Sequence, residues 1–546
     1  MTGTRPDPTG WTVPWDEARA QSYYDAGLWA GTTILKDAEA LMARSPEHVL
    51  IVDAGRAWSV GEIHDRALRL AGALRRGGLV PGDRISYQLP NWVETAIIEL
   101  AAAMAGLVVN PIIAIYRDAE VCYMMADCGS KAIFVPAEFR RHDYRAMMRK
   151  VIPALPNPAQ VIVVRGACEE FTSFDSLIAQ APLAGDPPVG SADDIKLVMY
   201  TSGTTGRPKA VLHSHNTIGA LARMYYAHMR MTPQDVILAC SPMTHITGAI
   251  LGSILPWAFG IRAILMEAWS GDSAVDLIKE HDVTFLAGAT PFISDLVQAA
   301  QKKDESLPSL KTFVAGGSKI PESIARSAYD QFPNCALFRA YGCTEVPAST
   351  SGEPERDCLV LNVTTDGHPV GRSEVRIVDP ATEALCAPGE EGELRLRGPQ
   401  AMLGYLDPGD TAAAFDSEGF FRTGDLGKEV ADGWIEVSGR TKDIIIRSGE
   451  NLSPKEIEDA LLGHPSIADI AIVAKPSPRT GEAACAFIVP KGEATLTLAD
   501  LAAFLIERGF AKQKIPEHIV LVGSLPMTAA GKVQKHLLRK EAEALP

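Results

Sequence analysis

The chain carries no long apolar run, no paired-cysteine motif and no basic tract, and each gap removes a class of function. Its two most apolar stretches, Leu100 to Val109 and Ile246 to Ile261, fall short of the roughly 20 residues needed to cross a bilayer. Asn110 and Pro111 close the first, while Pro256 interrupts the second and Arg262 ends it. Both read as buried protein, so no membrane-spanning role is expected. The opening "MTGTRPDPTGW" lacks the apolar core of a signal peptide, and export is not indicated. The nine cysteines (Cys122, Cys128, Cys168, Cys240, Cys335, Cys343, Cys358, Cys386 and Cys485) include no CxxC pair and read as reduced thiols of a cytoplasmic protein. The sequons at Asn362 and Asn451 are then chance matches. A formal net charge of −15, with no Lys/Arg run interleaved with aromatics, excludes nucleic acid as an expected partner. Any polyanionic ligand must therefore be met locally. A Walker A sequence, a GxG turn and a repeat of solenoid period are also missing.

What is present suffices for more than one folded domain: 546 residues, 47% hydrophobic and 22% charged. Over the first ~350 residues, strand-like runs such as "RISYQLP", "KAIFVPA", "QVIVVRG" and "IKLVMYT" alternate with helix-like runs such as "GEIHDRALRLAGALRRGG", which predicts layered α/β structure. From about Glu374 the texture changes to short strands with Gly/Pro turns, predicting a compact, barrel-like β unit. A third region begins near Lys442. There "SPKEIEDALLGHP" predicts a helix capped by Ser453, with Pro454 in its first turn, Glu456 completing a capping box, and Gly463 and Pro465 stopping it. Alternation in "IADIAIVA" and "ACAFIVP" predicts strands, and "TLADLAAFLIERG" another helix. The division expected is a large N-terminal domain over residues 1–441 and a small α+β domain over 442–546.

The stretch "MYTSGTTGRPKAVLHSH", Met199 to His215, crowds backbone and hydroxyl donors into one turn. Gly203 and Gly206 permit backbone angles that expose amide hydrogens, and Thr201, Ser202, Thr204 and Thr205 add hydroxyls. Lys209 adds charge, and the flanking apolar runs suggest a loop joining two strands. Such a loop suits phosphate oxygens.

"YTSGTTGRPKA" resembles the phosphate-binding signature of the adenylate-forming superfamily, which includes acyl-CoA synthetases, peptide-synthetase adenylation domains and firefly-type luciferases; Ala210 stands where the family's last glycine is usual. Further segments follow in the family's order. "PMTHITG" (Pro242 to Gly248) resembles the segment placing His245 beside the substrate carboxylate. "AGGSKI" (Ala315 to Ile320), with Gly317 and Ser318, resembles the loop lining the adenine and acyl sites. "AYGCTE" (Ala340 to Glu345), "RTGD" ending at Asp425, "GRTKDII" from Gly439, and "PMTAAGKVQKHLLR" (Pro526 to Arg539) complete the pattern. The resemblance covers essentially the whole chain, and within it "YYDAGLWAGTTI" and "NPIIAIYRDAEVCYMM" resemble stretches of cyclohexanecarboxylate-type and medium-chain acyl-CoA ligases.

This resemblance implies ATP, Mg²⁺ and CoA as co-substrates and cofactor and a small-molecule carboxylic acid as substrate, and the mostly apolar or small residues of the acyl site named below favour an uncharged hydrocarbon body on that acid. Ala340, Tyr341 and Gly342 would border the adenine and Asp425 would take both ribose hydroxyls, with Arg440 nearby. Thr344 would donate to the α-phosphate, Glu345 would hold Mg²⁺, and Lys532 would bridge carboxylate and α-phosphate. Lys442 would be the hinge of a rotating C-terminal domain. Ile246, Ala289, Phe292, Ala315, Gly316, Val346 and Pro347 would line the acyl pocket, and "RSGEN" (Arg447 to Asn451), with Ser448 and Gly449, the CoA channel. A homodimer is among the expected states. A carrier protein in place of CoA and a non-catalytic nucleotide-binding relative are the alternatives.

Overall fold

The computed structural model describes residues 3–545 apart from 169, 189, 202–206, 317–319, 321, 381, 441–444, 453, 493–494, 527–532 and 534, and gives the backbone alone for 322, 323, 438–440, 451, 455, 459 and 536. Among the described residues, two large sheets of eight and nine strands form the N-terminal part. The nine-stranded sheet holds a parallel run in which Ala336–Tyr341, Thr312–Gly316, Phe285–Ala289, Val236–Ala239, Arg262–Leu265 and Val49–Asp53 lie side by side. Short, β-branched and apolar runs joined by helices produce this arrangement, because parallel neighbours need a crossover between them.

The apolar stretch from Leu100 is the end of the helix Val93–Ala105, buried nearly all round, followed by the buried strand Val108–Pro111. Residues of that helix share one core with Ile237, Ala263, Val314 and Phe338 of the nine-stranded sheet and Phe134 and Leu197 of the eight-stranded one. The second stretch coils from Ile246–Ala249 through a π-turn, Ile250–Ile254, into Leu255–Phe259, and is also buried. No described helix is long and apolar enough to cross a membrane.

The β unit from Glu374 is an antiparallel sheet of Glu374–Val378, Gly392–Arg397, Phe421–Ala431 and Trp434–Arg440. Beyond it, Ile467–Ser477 and Gly481–Pro490 pair antiparallel along their length, and His518–Leu521 adds a parallel strand. Period-two alternation puts Ile470, Ile472 and Ala474 into a core with Leu461, Leu501 and Leu505. It turns Ala471 and Val473 to the opposite face, against Leu538 and Ala542. The helix expected around Glu456 runs Pro454–Leu462. Its expected cap Ser453, the 441/442 boundary and the hinge residue Lys442 lie outside the described residues.

Candidate active site

Three parallel strands end together on small residues. Ala289, Gly316 and Ala340 are in register across the sheet. A Cβ built on Gly316 would meet no atom of the described residues within 4 Å. Carboxyl ends of parallel strands are where open α/β sheets bind ligands, because the loops diverge there. Ala315 and Val346 are fully buried and Ile246 nearly so, and the three expected pocket residues pack into three separate cores: Ile246 with the helix Val93–Ala105, Ala315 with Leu286 and Phe313, and Val346 with Val211 and Tyr405. Phe292 leans on Gly288, whose added Cβ would lie 2.5 Å from the ring, and stacks on Trp269 with centroids 4.1 Å apart.

The chain continues from Ala340 into the segment that carries most of the polar groups. Gly342 is required there, since a Cβ would sit 2.5 Å from the amide nitrogen of Ala348. The Tyr341 hydroxyl donates to Asp425 Oδ2 at 2.7 Å. Burial, reinforced by the Asp425 charge, pushes the phenol well above its ordinary pKa, so it remains a donor. Asp425 faces Arg440 in the antiparallel ladder, and its own amide is fixed by Thr423 Oγ1 at 2.9 Å.

Glu345 is 8% exposed, and its Oε1 accepts from Tyr405 at 2.7 Å and Thr201 at 3.2 Å. Thr201 ends the strand Ile195–Thr201, which pairs antiparallel with Lys209–Ser214, so two strands do flank the Gly/Thr loop. Lys209 Nζ meets Asp410 at 2.8 Å and lies 5.0 Å from the Tyr405 ring. Cys343 is held protonated by burial and by Glu345, which argues against a thiolate nucleophile.

Two contributors went unread in the sequence. His213 sets Nε2 2.7 Å from the Thr344 carbonyl, so Nε2–H donates there and steadies the Thr344–Glu345 turn. Burial pushes this imidazole down to about 4, keeping it neutral. Its only sequence signal was the inward position of a His in "AVLHS". Tyr405 reaches Glu345 because it pairs opposite Val211, a pairing across nearly 200 residues that no local pattern encodes.

His245 caps the short helix Ile246–Ala249, its Nδ1 accepting from Thr247 N at 3.4 Å. The ring keeps solvent access at its surface, yet surrounding protein removes enough hydration to lower its pKa. That combination describes a group inside a cleft. Ser448 and Gly449 form the tip of a hairpin between Ile445–Arg447 and Glu450–Leu452, and a Cβ on Gly449 would lie 3.5 Å from Ala289 Cβ. The C-terminal hairpin therefore sits against the strand ends. Ser448 adopts φ +51°, which explains why glycine suits its position. Ser202 to Gly206, Gly317, Ser318, Lys442 and Lys532 lie outside the described residues, as does the Arg440 side chain.

Among the described residues no group of three or more His, Cys, Asp or Glu could hold a metal by itself. Mg²⁺ does not need one, since it binds through one or two carboxylates together with water and substrate phosphates. The single buried Glu345, set against the strand that leads into the Gly/Thr loop, fits that mode.

Fold and site together define an adenylate-forming ligase. The chain belongs to the AMP-binding enzyme family, whose model matches residues 38–406, with the AMP-binding enzyme C-terminal domain matching 456–532. A medium-chain fatty-acid–CoA ligase of Escherichia coli (strain K12) is 35% identical over 535 residues, covering 97% of this chain and 94% of the relative. A 2,3-dihydroxybenzoate-AMP ligase of Bacillus subtilis (strain 168) is 33% identical over 536 residues, covering 97% of each. The apo structure of MbtA from Mycobacterium smegmatis superposes with a TM-score of 0.71 at 29% identity, covering 97% of this chain and 98% of that one.

Proposed function

We propose that this chain is a carboxylate–CoA ligase. It activates a medium-chain, alicyclic or aryl carboxylic acid as acyl-AMP with release of pyrophosphate, then passes the acyl group to the thiol of CoA. The observation that carries this reading is the meeting of two surfaces at Ala289: the nucleotide-side groups Tyr341–Asp425 and Thr201–Glu345 on one, the Ser448–Gly449 hairpin on the other.

In the first step a carboxylate oxygen attacks the α-phosphorus of ATP and the bond to the β-phosphate oxygen breaks. The acid is already ionised near neutral pH, so no general base is required. Catalysis then reduces to alignment and charge neutralisation. Asp425 accepts the ribose hydroxyls, with Tyr341 fixing one carboxylate oxygen. Glu345 would hold Mg²⁺, which when bound neutralises phosphate charge as it develops. Thr344 donates to the α-phosphate from a turn steadied by His213. The neutral His245 meets the substrate carboxylate at the mouth of the acyl pocket that the resemblance assigns to Ile246, Ala315, Gly316 and Val346. The resemblance assigns Lys532 the bridge between carboxylate and α-phosphate. In the second step the CoA thiol displaces AMP, entering beside Ser448 and Gly449 after Lys532 has moved away about Lys442. The medium-chain fatty-acid relative of E. coli supports an uncharged hydrocarbon body on that acid.

A second reading gives the same first step and a carrier-protein thiol as acceptor; the whole-length match to an aryl-acid AMP ligase favours it. Pyrophosphate release across a panel of carboxylates, with and without CoA, tests both. Turnover that accelerates with CoA is the expected result. A mixed anhydride that CoA does not discharge transfers support to the carrier reading, and failure of every acid in the panel to give pyrophosphate release overturns both.

A further inference from the structure

Away from the reacting groups, one lysine is buried between the two parts of the molecule. Lys514 closes the short 3₁₀ turn Lys512–Lys514 of the C-terminal module, and its side chain is 8% exposed. Its Nζ is 2.7 Å from Glu456 Oε1, on the same module, and 3.1 Å from Glu120 Oε1, on the N-terminal helix Asp118–Cys128. The Tyr116 ring lies 5.2 Å from the ammonium and Phe510 5.7 Å away. Glu120 Oε1 also lies 3.4 Å from the amide of Ala511, while its Oε2 accepts from Arg117 N at the start of its own helix. The backbones touch here too, since a Cβ on Gly509 would lie 3.0 Å from Ala119 N.

The same segment reaches the hairpin at the active site. Arg447 donates to the Gln513 carbonyl at 2.7 Å and pairs with Glu517 at 2.6 Å. Arg447 precedes Ser448 and Gly449 directly, so the chain of contacts runs from Glu120 through Lys514 and the 513–517 segment to the hairpin tip against Ala289. Glu456 travels with Lys514 and keeps the ammonium aimed. Of the ammonium's two ion pairs, only the one to Glu120 must break when the modules separate, after which water can solvate both ends. A buried pair with this property biases an orientation without locking it.

We propose that Lys514, through its ion pair with Glu120, is a positioning residue for the thiol-transfer half-reaction, holding the C-terminal module where Ser448 and Gly449 meet the strand ends. It touches no reactant and takes no part in the adenylation half-reaction, which uses the other orientation. This rests on the two-step reading above.

Glu120→Gln tests it, because the amide keeps the shape and the contact with Arg117 N while removing the charge that Lys514 needs. Two rates are measured on the intact chain: carboxylate-dependent ATP–pyrophosphate exchange, and single-turnover thioester formation from supplied acyl-adenylate and CoA. The expected result is a loss of about tenfold in thioester formation with exchange unchanged or faster, and a larger loss in Glu120→Lys, where two cations would meet. An equal fall in both rates, or an unaltered thioester step in both variants, overturns the proposal. If the wild-type chain shows no exchange with any acid, the two-step reading itself has failed, an outcome distinct from a latch that does not matter.

Discussion

The nucleotide side of the cleft and the surface between the modules both bury carboxylates, but they partner them differently. On the nucleotide side Asp425 and Glu345 receive hydroxyls from Tyr341, Tyr405 and Thr201, all on or beside strands. At the module surface Glu120 and Glu456 share the ammonium of Lys514. A hydroxyl orients a carboxylate and leaves its charge in place for an incoming ligand. An ammonium neutralises it, and the pair can part because each half is stable in water. On the reading proposed above, one surface is arranged to bind and the other to come apart.

The most severe way to break this comparison is Lys532→Ala. Removing the cation proposed to bridge carboxylate and α-phosphate should slow carboxylate-dependent pyrophosphate exchange by at least about 10²-fold, the scale for one preorganised charge in a transition state. Thioester formation from supplied acyl-adenylate should stay within a few-fold of wild type. Measured side by side, equal losses would mean that the two half-reactions do not divide between the two surfaces.

Next in size are substitutions on the nucleotide side. Asp425→Asn should raise the KM for ATP by about 10- to 100-fold, the range for hydrogen bonds to a charged group. Tyr341→Phe, which loses only the group orienting that carboxylate, should raise it about fivefold. Steady-state kinetics with ATP varied decide the order, and a Tyr341→Phe effect as large as that of Asp425→Asn would give the phenol a direct role instead.

How much of this was legible follows the range of the interactions. The alternation in "IADIAIVA" announces a strand, and the structure buries both of its faces in separate cores. The order of "YTSGTTGRPKA", "AYGCTE" and "RTGD" announces the groups proposed above to meet the nucleotide, because each motif is local in the sequence. Tyr405, His213 and the Glu120–Lys514 pair leave no such trace. Tyr405 depends on a strand pairing opposite Val211, and Lys514 meets a helix almost 400 residues earlier in the chain. A lysine in "AKQKIP" reads as a solvated charge until two surfaces close over it.

Titration separates the two surfaces by sign. An unfolded imidazole takes its proton near pH 6.5, whereas burial holds His213 neutral down to about 4. Between those values the unfolded chain binds the extra proton, so this residue lowers stability by about 1.4 kcal/mol per pH unit as the solution is acidified below 6.5. Glu450, near Arg447 and Lys514, is shifted the other way, burial raising it from 4.5 to about 7. Its stabilising contribution is complete below pH 4.5 and lost as the pH rises through 7. Denaturant titrations at pH 5 and 7 should show wild type losing stability on acidification by more than His213→Gln does. Limited proteolysis at pH 6 and 8 should show Glu450→Gln removing the alkaline loosening of the module surface. No difference in either pair would mean that these groups titrate alike in folded and unfolded chains.

The smallest expected effect sits where the surfaces touch. Ser448 holds φ +51°, a left-handed angle that costs an L-residue on the order of 1 kcal/mol and costs glycine almost nothing. Glycine also loosens the unfolded chain, so Ser448→Gly should stabilise by no more than about 1 kcal/mol, or about 1 °C in the melting temperature of a chain this size. The hydroxyl contributes no hydrogen bond among the described residues, while the Ser448 amide, which donates to the Thr480 carbonyl at 2.7 Å, is kept. Ser448→Val should instead destabilise, because a β-branched side chain tolerates that angle least. If glycine lowers the melting temperature, the hydroxyl has a partner on the closed surface that outweighs the backbone strain, and the hairpin tip is fitted to its place by more than its turn.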